Sequence, residues 1–342
     1  MVTKSVVSTC ASLLLAAGLV ARAPSPAFAQ SAEQFYHGKT VTLVVGYAAG
    51  AGYDFFGRLT ARHLGRHIPG QPTVVVQNMP GAGSILAANY VYNAAPKDGS
   101  VLGLVTQTVA LEEVLGTQGV RFKADQFNWI GRVTSNVDIL LAWHNSKVKR
   151  IEDALKIEVP LAAPGSGLFL PTIINHVVGT KFRMITGYGG AGDTMLAMER
   201  GEVDAVSTSW TAIKATKQDW LDNKMVNVLV QYGMERLPQL PDVPTMIELG
   251  KTPEQKQVLT LYASGSVIGR SIFTSPGVPA ERVQALRDAF DAMIKDPQLL
   301  ADVEQSKAEF DPMSGAELQK IIAQAGNIPP AVRDLAIAAR GD

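Results

Sequence analysis

Glycine is concentrated at four points of this sequence that share one setting, directly after a short apolar run and directly before a helical pattern. They are Tyr47-Ala48-Ala49-Gly50-Ala51-Gly52-Tyr53-Asp54, Asn78-Met79-Pro80-Gly81-Ala82-Gly83-Ser84, Pro164-Gly165-Ser166-Gly167 and Thr186-Gly187-Tyr188-Gly189-Gly190-Ala191-Gly192-Asp193. Open α/β sheets bind ligands at the carboxyl ends of their strands. Glycine there lets backbone N–H groups approach a ligand, and a helix N-terminus adds unpaired donors with partial positive charge. Such loops hold an anion without any lysine or arginine. Each one alone reads first as a tight βα turn; their spread over both halves of the chain points to a shared anion site. The backbone candidates are Ala49, Gly50, Ala51 and Gly52 in the first loop, Gly83 and Ser84 in the second, Gly165 and Ser166 in the third, and Gly189 and Gly190 in the fourth. Thr106 and Gln107, just past another strand end, join them. Asp54 and Asp193 are most simply helix N-caps, although an amino group on a ligand would need an acid.

Other chemistry is thinly represented. Gly38-Lys39-Thr40 resembles the end of a phosphate-binding loop, but Glu33 occupies the required upstream glycine position and the motif precedes its strand. Gly50-x-Gly52 has Phe55 where a dinucleotide fingerprint needs a small residue, and Asn78 ends the second strand where an acid would hold a ribose. His63 and His67 stand four residues apart and could share a metal, but Arg62 and Arg66 beside them suggest a solvated basic face. Ser166 has no identifiable base and reads as a hydroxyl donor. No catalytic residue, metal ligand or cofactor is expected.

The elements that position these loops follow from hydrophobic patterning. Apolar runs at Thr40–Gly46, Thr73–Gln77, Val101–Val105, Asp138–Trp143, Glu158–Ala163, Phe182–Gly187, Val203–Ser207, Val226–Gln231 and Val267–Phe273 predict strands covered on both faces, hence mainly parallel sheets. Asp54–Ile68 predicts a helix with Phe56, Leu59, Leu64 and Ile68 inward and Arg58, Arg62 and Arg66 outward. About ten strands are too many for one such sheet, and no Ser/Gly-rich tether marks a boundary, so two lobes joined by crossing strands are expected.

The chain has 342 residues, 31 basic and 31 acidic, with one cysteine. Zero formal charge lacks the basic footprint of a nucleic-acid binder. Lys4, an apolar Ser5–Ala21 and Ala27-Phe28-Ala29 have the layout of a secretory leader. Its removal after residue 29 would leave 29 basic and 31 acidic residues, a formal charge of −2, and no cysteine.

Several segments resemble the extracytoplasmic substrate-binding receptors of tripartite tricarboxylate transporters, the Bug or TctC-like family. They are Lys39–Gly46 with its loop to Asp54, Val74–Gly83, Ala95–Gly99, Gly187–Gly190 with Gly201–Asp204, Leu240–Thr245 and Ser275–Pro279, in the family's order over about residues 36–325. The resemblance implies a two-lobed periplasmic binding protein of the type II, Venus-flytrap kind that closes over one small organic carboxylate. It implies a leader over 1–29, lobe 1 over 30–134 with 262–342 and its C-terminal helices, and lobe 2 over 135–261. Carried over, it places Gly165 and Ser166 opposite Ala49, Gly50, Ala51 and Gly52. Tyr188, Gly189, Gly190 and the strand end Ser207-Thr208-Ser209 complete the wall. The implied partners are integral membrane transporter subunits; the receptor itself is expected to be a periplasmic monomer. Phe169, Tyr188, Trp210 and Tyr53 read either as an apolar wall for an aromatic acid or as core, the rival ligands being aliphatic di- or tricarboxylates. A ligand sensor for a membrane kinase and a secreted hydrolase using Ser166 or Asp54 are the competing functions.

Overall fold

The computed structural model describes residues 30–50, 52–163, 165–325 and 328–340; the expected leader, Ala51 and Pro164 lie outside the described residues. Eleven strands are formed among them: β1 (Thr40–Val45), β2 (Thr73–Asn78), β3 (Val101–Leu104), β4 (Asn128–Thr134), β5 (Asp138–Trp143), β6 (Val159–Ala162), β7 (Phe182–Ile185), β8 (Ala205–Ser209), β9 (Val226–Gln231), β10 (Arg270–Thr274) and β11 (Met313–Ser314). They make two sheets, in the orders β11-β4-β10-β3-β1-β2 and β7-β6-β8-β5-β9. Among the described residues no helix is long and apolar enough to cross a membrane.

Each sheet is covered on both faces, as the uninterrupted apolar runs predict. Along β1, Val41, Leu43 and Val45 enter one core and Val44 the opposite one. Along β5, Leu140 and Ala142 face one core while Ile139, Leu141 and Trp143 face the other. Each fully buried aliphatic side chain contributes about 1.5–3 kcal/mol. Helix Gly52–Leu64 seals the first sheet with Phe56, Leu59 and Leu64.

The α/β, two-sheet architecture agrees with expectation, but the sheets are mixed. Only β1 with β2 and β3, and β6 with β7 and β8, pair in parallel. Strands that enter or leave at the crossing between sheets run antiparallel: β10 against β3 and β4, and β5 against β8 and β9. The sequence pattern missed β4, because Gly131 and Arg132 interrupt its apolar run. Arg132 is buried there only because its guanidinium bonds the Val267 carbonyl at 2.7 Å and the Asp311 carboxylate at 2.8 Å.

Residues 135–137 carry the chain from β4 into β5, and β10 brings it back. Gly269, immediately before β10, has φ +51°, and a Cβ on it would lie 2.2 Å from the Thr134 carbonyl oxygen. The two crossing segments therefore touch backbone to backbone. The last helix, Pro330–Ala339, departs from the expectation that the C-terminal helices lie on the first lobe. Val332 and Ala336 enter a core with Ile173 and Val258 over the second sheet, and the Ala336 carbonyl accepts from the Tyr262 hydroxyl at 2.6 Å.

Candidate ligand site

The first glycine loop is organised from within. Asp54 is buried, and its Oδ2 accepts from the Gly50 N–H at 2.9 Å and from Arg58 Nε at 2.9 Å. Its Oδ1 accepts from Asn78 Nδ2 at 2.8 Å, and that amide also donates to the Tyr47 carbonyl at 2.9 Å. The Arg58 guanidinium, with the Gly50 and Asn78 donors, holds the Asp54 carboxyl at about 2 against the opposing effect of burial. The Gly50 N–H and Asp54 are thus spent inside the loop, which they shape.

A depressed carboxyl contributes stability above its ordinary value of 3.8, and that contribution is lost as pH falls toward about 2. Asp54→Asn is therefore expected to lose on the order of 1 kcal/mol at neutral pH, Arg58 being half-exposed and screened. Urea unfolding of both proteins should show the gap narrowing from about pH 4 downward.

Helix Gly52–Leu64, which this loop opens, is pinned at its far end. His63 is buried with Nε2 2.9 Å from Asp302, and His67 Nε2 lies 2.8 Å from Asp296. The expected solvated basic face is thus an anchored one, since each imidazole meets a carboxylate from the helix Pro297–Gln305 region. No group of three or more metal-ligating side chains gathers among the described residues.

The other candidates fall into distinct roles. The buried Ser84 hydroxyl donates to the Gly46 carbonyl at 3.1 Å, fastening the second loop to the first, while Gly83 beside it has φ +60°. Thr106 Oγ1 lies 3.1 Å from Thr108 Oγ1. The Gln107 N–H donates to the Tyr53 hydroxyl at 2.9 Å, leaving Gln107 Oε1 buried without a partner. Gly165 and Ser166 form the turn after β6, Gly165–Leu168, and β6 lies beside β8 with Ala162 opposite Val206. That register sets the third loop next to the buried pair Ser207 and Thr208. The Gly189 N–H donates to exposed Asp193 at 3.1 Å, repeating the Gly50–Asp54 device in the fourth loop. Tyr188 and Gly190 are half-buried there; Ala49 and Gly52 are exposed.

The aromatic wall is largely core. Phe169 packs edge-to-face on Tyr262 at 5.2 Å, and Trp210 is buried under the second sheet. Tyr53 is the exception, stacked on Tyr47 at 4.3 Å at the first loop.

What sequence reasoning missed lies at the crossing itself. Arg270, the first residue of β10, is 8% exposed, and its guanidinium carbon lies 4.9 Å from the Tyr53 ring centre and 5.2 Å from that of Phe56. A Cβ on Gly52 would be 3.8 Å from Arg270 Nη2, so the guanidinium adjoins the start of the helix. Arg270 Nε is buried without a hydrogen-bond partner. Thr134 Oγ1, opposite it in the β4–β10 register, and Asn136 Oδ1 are likewise unpartnered. Asp138 opens β5 opposite Ser209 and accepts from Asn136 Nδ2 at 3.2 Å. Burial raises the Asp138 carboxyl, and the nearby Arg270 charge works against that rise. Tyr232 donates its N–H to the Asp138 carbonyl at 2.8 Å, and its own buried hydroxyl lies beside the Ser207 side chain. This floor connects the first loop, through Tyr53 and Arg270, to the end of β8. The sequence signal was a charged residue inside an apolar run, Gly269-Arg270-Ser271-Ile272-Phe273. Unpartnered buried polar groups are costly, and their clustering marks a site.

A groove of about 570 Å³ lies elsewhere, lined by Glu113, Lys123, Asp125, Ile322 and Arg333. Lys123 there is already paired with Glu113 at 2.9 Å, and no glycine loop reaches it.

Outside the floor, a contact at Glu309 also links the cores of the two sheets. Glu309, beside Phe310 of the first core, accepts from Thr211 Oγ1 at 2.5 Å and lies 3.2 Å from Lys214 Nζ. Both partners sit on helix Trp210–Thr216, anchored in the second core by Trp210 and Ile213. Glu309→Gln is expected to lower ligand affinity about threefold, since the latch favours the lobes' closeness by well under 1 kcal/mol. Calorimetry reads the affinity, and small-angle scattering of the unliganded variant should show a larger radius of gyration.

Comparison with known proteins gives a consistent picture. The profile described as Tripartite tricarboxylate transporter family receptor matches residues 58–329. A Cupriavidus necator protein described as "UPF0065 protein in gbd 5'region" is 27% identical over 313 residues, covering 88% of this chain and 86% of its own. The periplasmic binding protein BugD superposes with a TM-score of 0.63 at 22% identity, over 88% of this chain and 97% of its own. MatC of Rhodopseudomonas palustris, solved with bound malate, gives 0.60 at 21% identity, over 87% and 99%.

Proposed function

The chain belongs to the tripartite tricarboxylate transporter receptor family, and from that premise we propose that it captures one small organic carboxylate between its lobes and delivers it to a membrane transporter of that type. As a member it is a solute-binding receptor of the periplasmic kind, and not an enzyme. The leader-like first 29 residues support export. Under this reading lobe 1 holds the sheet of β1–β4, β10 and β11, and lobe 2 the sheet of β5–β9 with helix Pro330–Ala339.

The observation that carries the ligand class is Arg270, a buried guanidinium with a free Nε beside the start of a helix. The start of helix Gly52–Leu64 adjoins it with neutral backbone donors, so an anion there meets both. MatC's malate lends a neighbour's precedent for a small dicarboxylate. Charge-assisted hydrogen bonds contribute about 1.5–3 kcal/mol each. A few of them, less the cost of ordering and closure, leave about −8 kcal/mol, a micromolar dissociation constant. Contacts made only when the lobes meet shift the hinge toward closure, which a transporter subunit can recognise.

A thermal-shift screen of the mature chain tests this, because ligand binding raises apparent stability by mass action. At least one aliphatic or aromatic carboxylate should raise the midpoint, while sugars and nucleotides leave it unchanged. A response to a neutral sugar with none to any acid would sink the reading.

A further inference from the structure

The cleft floor carries two opposite charges, and a simple carboxylate answers only one of them. Thr134, Asn136 and Asp138 occupy alternate positions of the segment that crosses from β4 to β5, and the Asn136 and Asp138 side chains are joined by a 3.2 Å hydrogen bond. That bond uses an N–H of Asn136, so the Asn136 Oδ1, buried and unpartnered, remains an acceptor next to the Asp138 carboxylate. At the other end of the row stands Arg270, opposite Thr134 in the strand register. Arg270 keeps an unpartnered Nε, although it and Asp138 lie within each other's electrostatic reach. The floor therefore presents donors at one end and acceptors at the other.

We propose that the ligand is a zwitterion, an amino-carboxylate whose carboxylate sits on Arg270 and whose ammonium group donates to Asn136 Oδ1 and Asp138. This rests on the carboxylate reading and narrows it. A plain acid docked on Arg270 brings negative charge toward Asp138, which must then be repelled or take up a proton. An ammonium group turns the same juxtaposition into attraction, and its three N–H donors suit Asn136 Oδ1, which has no donor, together with the Asp138 carboxylate beside it. Arg270 from β10, Tyr53 from helix Gly52–Leu64 and Tyr232 from the end of β9 are the charged or titratable groups facing Asp138. Burial raises both tyrosines, so Asp138 alone among them can change charge in the acid to neutral range.

The test is isothermal titration of the mature chain at pH 7 with three matched pairs: succinate and L-aspartate, glutarate and L-glutamate, 3-phenylpropionate and L-phenylalanine, with L-malate added. In the pair whose chain length fits, the amino member should bind at least about tenfold tighter than the plain acid. Asp138→Asn, checked for native circular dichroism, should erase that preference. Should this variant fail to fold, the wild-type pH dependence decides: the amino member weakens as Asp138 protonates, whereas a plain acid strengthens. Plain acids or malate binding as tightly as the amino members, with Arg270 still required, would overturn the zwitterion and leave the carboxylate receptor standing. A chain that binds none of these acids but does bind a neutral sugar would overturn both.

Discussion

Replacing Arg270 by alanine is expected to weaken carboxylate binding about a hundredfold or more while the fold persists. A guanidinium–carboxylate contact of two charge-assisted bonds is worth roughly 3 kcal/mol or more, which is that factor in affinity. The fold should survive because Arg270 makes no direct ion pair among the described residues, its Nε is unsatisfied already, and the Asp138 carboxyl that loses its attraction can take up a proton. Relief of the buried charge's desolvation cost offsets the lost attraction to Asp138 and the lost packing on Tyr53 and Phe56, so the unliganded midpoint should stay about level. Arg270→Lys should fall between, since an ammonium keeps the charge and loses the planar fork. Calorimetric titration measures the effect. Affinity undiminished in the alanine variant would remove Arg270 from the site.

The second large effect concerns Gly269. Its φ of +51° disfavours any β-branched residue, and a Cβ there would meet the Thr134 carbonyl oxygen at 2.2 Å and Ser135 Cα at 2.7 Å. Neither neighbour can yield, because both belong to the strand crossing in the opposite direction. Strained φ alone costs about 1–3 kcal/mol, and separating two backbones adds to it. Gly269→Val is expected to lose about 4 kcal/mol or more, a large part of a domain's net stability. Thermal unfolding would show either a strongly lowered midpoint or no cooperative transition. Gly269→Ala should behave similarly but less severely. A valine variant with native stability would mean that the crossing segments separate freely.

Much of this molecule was legible in its sequence, for identifiable reasons. Thr40–Val45 reads as a covered strand because both of its faces are apolar, and it sits between two parallel neighbours. The glycine loops fall at strand ends, as their spacing predicts. The internal use of Asp54 was only half legible: an N-cap-like acid was apparent, whereas its bonds to Gly50 and Asn78 require the loop and β2 to meet. β4 was hidden because Gly131 leaves room for the Phe290 ring, whose Cε1 would lie 2.2 Å from an added Cβ. That packing depends on a helix about 160 residues further along. Phe169 and Trp210 carry no local sign that separates core from cleft. Only Tyr262 and the second core decide for them.

Arg270 was overlooked for a different reason. Neutral backbone donors suffice in principle to hold an anion, so the loops raised no demand for a cation. Its importance comes from long-range geometry: β10 returns to the first sheet beside β4 and delivers the guanidinium to Tyr53, which precedes it by more than two hundred residues. The opposing Asp138 opens an apolar strand and reads locally as nothing more than a strand start.

The claim that this receptor recognises an anionic carboxyl group is tested most directly by titrating the mature chain with its best-responding acid and with that acid's methyl esters. The acid should bind with a dissociation constant of about micromolar, and esterifying the carboxyl held by Arg270 should reduce affinity about a hundredfold. Esters that all bind as tightly as the free acid would contradict the account.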